Sequence, residues 1–360
     1  MTIIYLYRSL AAFGGVERIF IDKANYLAEH YGYHVYIITW EQGGHSIVYP
    51  LSPKVTHIDW GILFYRQYQY GLFKRMFMQW KMEKEFFKKL SNFVHTTQAD
   101  IVIGASCEFT TMAGMDLLQR KTHTILETHS MRTSIEKNNP PAGNLLMRWA
   151  FKRRDKQLHQ YIKHMSAFVT LTHNDAKDWS DITPQARIIP NMLHRYPAEI
   201  SPDKKTQKRI ITAGRLVEQK GYDLLLDAWS KVHQKHPEWI LDIYGEGEDK
   251  NMLLEKRKNL ALENSVLFHP PTPDIYQKYM DSDFYVMSSR YEGFGLVLAE
   301  AMSCGIPCVS FDCPHGPSDI IKDHEDGLLV EKENIKELAD KICYLIENEN
   351  VRIKMGHKAR

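Results

Sequence analysis

Two parallel-sheet, doubly wound α/β domains are the fold that this sequence predicts. Short β-branched or aromatic runs alternate with longer amphipathic stretches in both halves of the chain. A polar stretch bearing Pro190, Pro197 and Pro202 separates the halves. The length, 360 residues, suits two domains of ~150 residues each.

In the first half, strands are expected at Ile3–Tyr7, Val35–Thr39, Ile101–Gly104, Thr124–Glu127 and Phe168–Leu171. Each run is β-branched or aromatic and ends in turn-forming or polar residues. Helical patterns lie between them, at Val16–His30 and over the long Gly71–Phe93 stretch. The second half repeats the rhythm. Its expected strands are Arg209–Ala213, Ile240–Tyr244, Val266–His269, Phe284–Met287, Pro307–Ser310 and Leu328–Val330. Its expected helices are Tyr222–Lys235, Asp249–Ala261, Leu296–Cys304 and Ile335–Asn348. Residues 1–190 and 209–360 are therefore read as the domains, facing across a cleft, with 191–208 as the linker. Ligands of such sheets sit outside the carboxyl ends of the strands, so the chemistry is sought in the loops that follow them.

Composition narrows the class. Hydrophobic residues make up 44% and charged residues 25%, ordinary values that exclude disorder, collagen and coiled coil. Mean hydropathy is -0.40, and no apolar run approaches the ~18 to 20 residues of a membrane helix. Met1–Arg8 lacks the basic and apolar regions of a signal peptide. Five cysteines, sparse and odd in number, point to free thiols in a reducing, cytoplasmic setting. The net charge of +2 hides an asymmetry, because residues 1–200 carry +7 and residues 201–360 carry -5.

Several strand-end loops have the makings of an anion site. Gly14-Gly15 precedes a helix, where the backbone can approach an anion; a tight turn is the plainer reading. Gly214-Arg215 and Lys220-Gly221 flank the next such loop. A forked donor and a point charge five residues apart suit a diphosphate, whereas solvated surface charge is their usual fate. Tyr244-Gly245-Glu246-Gly247 lacks the third glycine of a dinucleotide fingerprint.

Glu292-Gly293-Phe294-Gly295 opens an apolar helix that holds Glu300 eight residues on, just over two helical turns. Both carboxylates then line one wall at different depths, with the backbone N–H groups of Gly293–Gly295 between them. Carboxylates that accept from vicinal hydroxyls suit a ribose or a hexose. A helix cap and a surface glutamate are the alternative. Cys304, Cys308, Cys313 and His315 do not have the spacing of chelating knuckles, so no metal site is expected there.

With these motifs in order, followed by Gly305-Ile306-Pro307-Cys308-Val309 and Asp326-Gly327-Leu328-Leu329-Val330, the chain resembles a family 4 retaining glycosyltransferase over nearly all of residues 1–358. The resemblance implies the GT-B architecture of two Rossmann-like domains, acceptor-binding first and donor-binding second. It implies that Arg215 and Lys220 bind the donor diphosphate and take the role of a metal, so metal independence is expected. Glu300 would accept from the ribose. Glu292 would contact the transferred sugar, helped by the backbone of Gly293, Phe294 and Gly295. Gly15, Gly214 and Gly245 would lie against the donor, and His129 would match the histidine near the sugar's C6 hydroxyl, although a histidine satisfied at a strand end is the plainer reading.

Phe311-Asp312-Cys313-Pro314-His315-Gly316-Pro317 is similar to a bacterial subgroup that builds capsules, lipopolysaccharide or lipid-linked oligosaccharides. This implies a UDP-sugar donor as co-substrate, no further cofactor, and a saccharide or lipid-linked acceptor. His269–Pro273 is expected at the base. The first loop lacks the lysine of starch and glycogen synthases. Family members usually continue for one more helix, so this chain is expected to stop one helix short.

Two basic stretches with interleaved aromatics, Tyr65–Leu90 and Asn144–His164, suit an anionic membrane surface; ordinary helices with the aromatics in the core fit equally. No nucleic-acid recognition motif accompanies them. A sugar-nucleotide 2-epimerase and a non-catalytic nucleotide-sugar-binding protein are the competing readings of the whole.

Overall fold

The computed structural model describes residues 1–12, 14–105, 107–118, 121–129, 131–132, 145–200 and 207–360. It divides into two compact units, Met1–His194 and Arg195–Arg360. Of the expected linker, residues 201–206 lie outside the described residues.

The first unit carries β1 (Thr2–Leu6), β2 (His34–Thr39), β3 (Val55–Asp59), β4 (Ile101–Gly104), β5 (His123–Glu127), β6 (Ala167–Thr170) and β7 (Arg187–Ile188). They form one sheet in the order β3-β2-β1-β4-β5-β6-β7, and every pairing is parallel. Along β1, Ile4 and Leu6 enter the core on one face while Ile3 and Tyr5 enter the core on the other. Both faces are covered, which explains why the strand reads as an unbroken apolar run. Helices α1 (Gly15–His30), α2 (Leu72–Thr97), α3 (Phe109–Asp116), α4 (Leu145–His164) and α5 (His173–Asp178) supply the cover.

The second unit repeats the plan with six strands: β8 (Arg209–Ala213), β9 (Ile240–Tyr244), β10 (Val266–His269), β11 (Phe284–Met287), β12 (Cys308–Asp312) and β13 (Gly327–Glu331). Their order is β10-β9-β8-β11-β12-β13, again parallel throughout. Residues of β11 alternate between two cores: Phe284 and Val286 pack with Trp229 and Phe311, and Tyr285 and Met287 with Tyr279 and Leu298. The helices are α6 (Tyr222–Lys235), α7 (Lys250–Asn259), α8 (Ile275–Met280), α9 (Leu296–Ser303), α10 (Pro317–Ile320), α11 (Ile335–Glu347) and α12 (Glu349–Ala359).

The strand order reverses direction between β8 and β11, as it does between β1 and β4. At such a switch point the loops after neighbouring strands diverge and leave a crevice at the carboxyl edge. No helix among the described residues is long and apolar enough to cross a membrane.

Candidate active site

The β8 and β11 loops meet at the switch point of the second unit. Lys220, in a short turn after β8, donates from Nζ to Oε1 of Glu292 at 2.6 Å. The Oγ of Ser289 donates to the same oxygen at 2.6 Å. Both ends of the ion pair are largely shielded, with side-chain exposures of 17% for Lys220 and 7% for Glu292. Arg215 stands on the same loop, exposed, and forms no ion pair with the described residues. One expected cation is thus held and the other is open to solvent.

The two loops are laced together. Arg290 donates from its backbone N–H to Gln219 O (2.8 Å), and Gln219 Nε2 donates to Tyr291 O (2.9 Å). The Arg290 guanidinium grips Asp223 of α6 with both ends, at 2.7 and 2.8 Å, and also donates to Glu218 O at 2.7 Å. A forked pair of this kind fixes geometry as well as charge. Sequence reasoning missed Asp223, Ser289 and the part played by Arg290. The available signal was the polar Ser288-Ser289-Arg290 run at a strand end.

Behind Glu292 lies the Phe311–Pro317 segment. Pro314 O accepts from the Glu292 N–H at 3.3 Å. Gly316 has φ +111, and a Cβ there would meet Phe294 O at 1.9 Å, so only glycine lets the segments close up. The Cys313 thiol is pushed up to about 12, chiefly by burial and further by the Glu292 charge. It stays protonated and inert at neutral pH.

Gly293, Phe294 and Gly295 form the turn into α9, with Phe294 buried. The helix begins only at Leu296, so Glu292 and Glu300 are not two turns apart on one helix as the spacing suggested. Glu300 is on α9, half-buried, with the Tyr279 hydroxyl donating to its Oε2 at 3.4 Å. No side chain caps α9, which leaves first-turn N–H groups without that partner. Gly245 follows β9 and packs on the loop after β8, where a Cβ would lie 2.0 Å from Gly214 O. His269, expected near the base, has its Nε2 2.7 Å from Asp242 Oδ1 and stacks on Tyr244, while Pro270, Pro271 and Pro273 are exposed.

The chain's one Asp-x-Asp triplet, Asp281-Ser282-Asp283, lies at the amino end of β11, away from these loops. Asp283 accepts from the backbone N–H groups of Gln207 and Arg209, both at 3.0 Å, and is used there structurally. A cavity of about 440 Å³ lies at that same end, lined by Glu199, Asp283, Ile306, Pro307 and Arg352 among others. The Cys304 thiol faces Tyr276 O and the Cys308 thiol faces Leu298 O. The converging metal-type group among the described residues is instead His236, Cys343 and Glu347, in which His236 and Glu347 satisfy each other at 3.0 Å.

In the first unit, Gly15 opens α1 and is exposed, and no side chain caps that helix. His129 follows β5, its ring 5% exposed and its Nε2 3.5 Å from Glu127 Oε2. Lys23 of α1 donates to the other Glu127 oxygen at 2.5 Å. Burial raises the Glu127 carboxyl, but His129 and Lys23 outweigh it and hold it below its usual range. The His129 ring is thus buried beside a carboxylate at a strand end, with neither nitrogen in hydrogen-bond geometry with a described residue.

Asp175 of α5 is buried, and burial, aided by Asp178, pushes its carboxyl up to about 6. The folded chain then binds this proton more tightly than the unfolded chain, whose value is about 3.9. Stability contributed here falls as pH rises from about 4 to about 6. Asp175→Asn is expected to stabilise the protein by on the order of 2 kcal/mol at pH 7.5 and hardly at all at pH 4. Thermal melts at the two pH values check this, and an equal effect at both would contradict the assignment.

Residues 198–360 match the family model "Glycosyl transferases group 1". The second unit is a group 1 glycosyltransferase domain. An uncharacterized glycosyltransferase of Haemophilus influenzae is 29% identical over 366 residues, covering 99% of this chain and 93% of its own. The amylovoran biosynthesis glycosyltransferase AmsD of Erwinia amylovora is 40% identical over 169 residues, 47% of this chain and 46% of its own. Among solved structures, TarM superposes with a TM-score of 0.77 at 16% identity, covering 100% of this chain and 94% of that one. The galactosyltransferase WaaB gives 0.71 at 18% identity, with coverages of 100% and 95%. The two parallel-sheet units have the GT-B fold of these structures. In the transferase domain, the Lys220–Glu292 pair, Arg215 and Glu300 all follow carboxyl ends of strands.

Proposed function

We propose that the chain transfers a hexose or N-acetylhexosamine from a UDP-sugar to a saccharide or lipid-linked saccharide, with retention of configuration and without a metal. The observation that carries this reading is the shielded Lys220–Glu292 pair across the β8/β11 switch point, with exposed Arg215 beside it. A sugar diphosphate presents an anion and a set of hydroxyls side by side. Arg215 and Lys220 address the anion, and Glu292 addresses the hydroxyls. As the bond to the anomeric carbon breaks, charge gathers on the phosphate oxygen. Lys220, already held in place by Glu292, stabilises that charge without reorganising, and Arg215 closes on it from the solvent side. Glu300 accepts from the ribose, the backbone of Gly293, Phe294 and Gly295 contacts the sugar, and the uncapped N-termini of α1, at Gly15, and of α9, after Gly295, add partial positive charge. His129 contacts the sugar, and same-face attack needs no second carboxylate of the hydrolase type.

The names of relatives support the donor and setting. A poly(ribitol-phosphate) alpha-N-acetylglucosaminyltransferase of Staphylococcus aureus is 32% identical over 59% of this chain. TarM and HepE structures were solved with UDP. We place the enzyme in the cytoplasm, in the building of bacterial surface polysaccharide.

Thermal melts with UDP, GDP and ADP test the reading. UDP at about a hundred times its dissociation constant is expected to add roughly 2.7 kcal/mol, a rise of several degrees. If none of the three nucleotides raises the midpoint, the donor site as drawn does not exist. Release of UDP from UDP-glucose, UDP-galactose and their N-acetylated forms then identifies the sugar.

A further inference from the structure

We propose that the first unit docks on an anionic lipid surface through the outward apolar stripe of α2 and the turn before it. Helix α2 carries two apolar stripes. Met82, Phe86, Leu90 and Val94 are buried in the core. Phe73, Met76, Phe77 and Trp80 are on the surface, at 87%, 62%, 59% and 56% exposure. At 100° per residue, Phe73, Phe77 and Trp80 fall within about 60° of one another, and Met82 and Phe86 lie about 140° or more from the middle of that arc. Tyr65 and Tyr68 in the preceding turn, and Leu72 at the start of α2, extend the exposed patch. The sequence allowed these aromatics to be core or surface. The structure buries Phe86 and leaves Phe73, Phe77 and Trp80 outside.

Charge decides what covers the patch. Tyr65–Leu90 holds seven Lys or Arg against two Glu, and both acids lie beyond Trp80. The cations share a layer with the rings: Lys74 sits 4.4 Å from the Tyr70 centroid, Arg75 4.2 Å from Tyr68 and Lys84 5.2 Å from Trp80. Aromatic and aliphatic tips ringed by cations match an interfacial helix on acidic headgroups. A second copy is a poor occupant, because a two-fold contact would set this basic patch against itself. The basic α4 does not strengthen the case, since the side chains of its first seven residues lie outside the described residues. The proposal stands apart from the donor-site reading, because none of these residues belongs to it.

Co-sedimentation of the full chain with phosphatidylcholine vesicles, with and without phosphatidylglycerol, tests it. Binding to the anionic vesicles is expected to be at least about tenfold stronger and to fall with salt. The triple variant Phe73→Ala/Phe77→Ala/Trp80→Ala is expected to lose most of that binding with an unchanged melting midpoint, since all three side chains are exposed. Lys336→Glu on the second unit is expected to bind as the parent does. Equal recovery on neutral and anionic vesicles overturns the proposal. So does a triple variant that binds like the parent, or a dimer in sedimentation velocity that the triple variant abolishes.

Discussion

With Lys220 replaced by alanine, transfer is expected to fall by about 10² to 10³-fold, and the protein to lose roughly 2 to 3 kcal/mol of stability. The two losses share one origin. Lys220 and Glu292 form a shielded pair at 2.6 Å, so removing the ammonium strands a carboxylate that is only 7% exposed. Breaking a buried pair costs about 3 to 5 kcal/mol, and partial exposure of Lys220 together with the remaining Ser289 hydrogen bond lowers that figure. The double variant Lys220→Ala/Glu292→Gln separates the effects. A neutral amide no longer needs a cation, so stability is expected to return while transfer does not. Melting midpoints and UDP release read the two quantities independently. Transfer by the Lys220→Ala protein within tenfold of the parent would falsify the assigned role.

Arg215→Ala is expected to show the opposite balance. Arg215 is exposed and has no ion-pair partner among the described residues, so stability should move by no more than about 0.5 kcal/mol. Its contribution arises only when an anion arrives. A charge-assisted hydrogen bond is worth about 1.5 to 3 kcal/mol, which weakens UDP binding by about 10 to 100-fold. Calorimetric titration of UDP measures this. Unchanged affinity, with the midpoint also unchanged, would make Arg215 ordinary surface charge.

How far the sequence could carry these conclusions differs from element to element. Strands β8, β9, β10 and β11 occupy the runs expected of them: β8, β9 and β11 are buried on both faces and mostly apolar or aromatic, and the edge strand β10 keeps three apolar residues of four. The edge strand β3, Val-Thr-His-Ile-Asp, was missed because three of its five residues are polar, and β7 because it has two residues. Helix α3 was hidden by Thr110, Thr111 and Gly114, which are weak helix formers. Helix α8 has six residues, too few to show a period.

The candidate site was legible as separate residues and not as a constellation. Lys220 and Glu292 stand 72 positions apart, and Asp223 and Arg290 67 apart. Only the order β9-β8-β11 brings their loops together, and strand order is not written in any local pattern. The two apolar stripes of α2 pose a related problem. Helical spacing reveals both but does not say which one the core takes.

The Lys220–Glu292 pair also bears on how such an enzyme can change. Each residue is the other's counter-charge, so a substitution at either position alone leaves an unbalanced group before it alters any donor preference. Substitutions at the two positions should therefore travel together through a lineage, across 72 residues of sequence. An attempt to redirect the enzyme to another sugar should exchange the β8 and β11 loops as one inheritance.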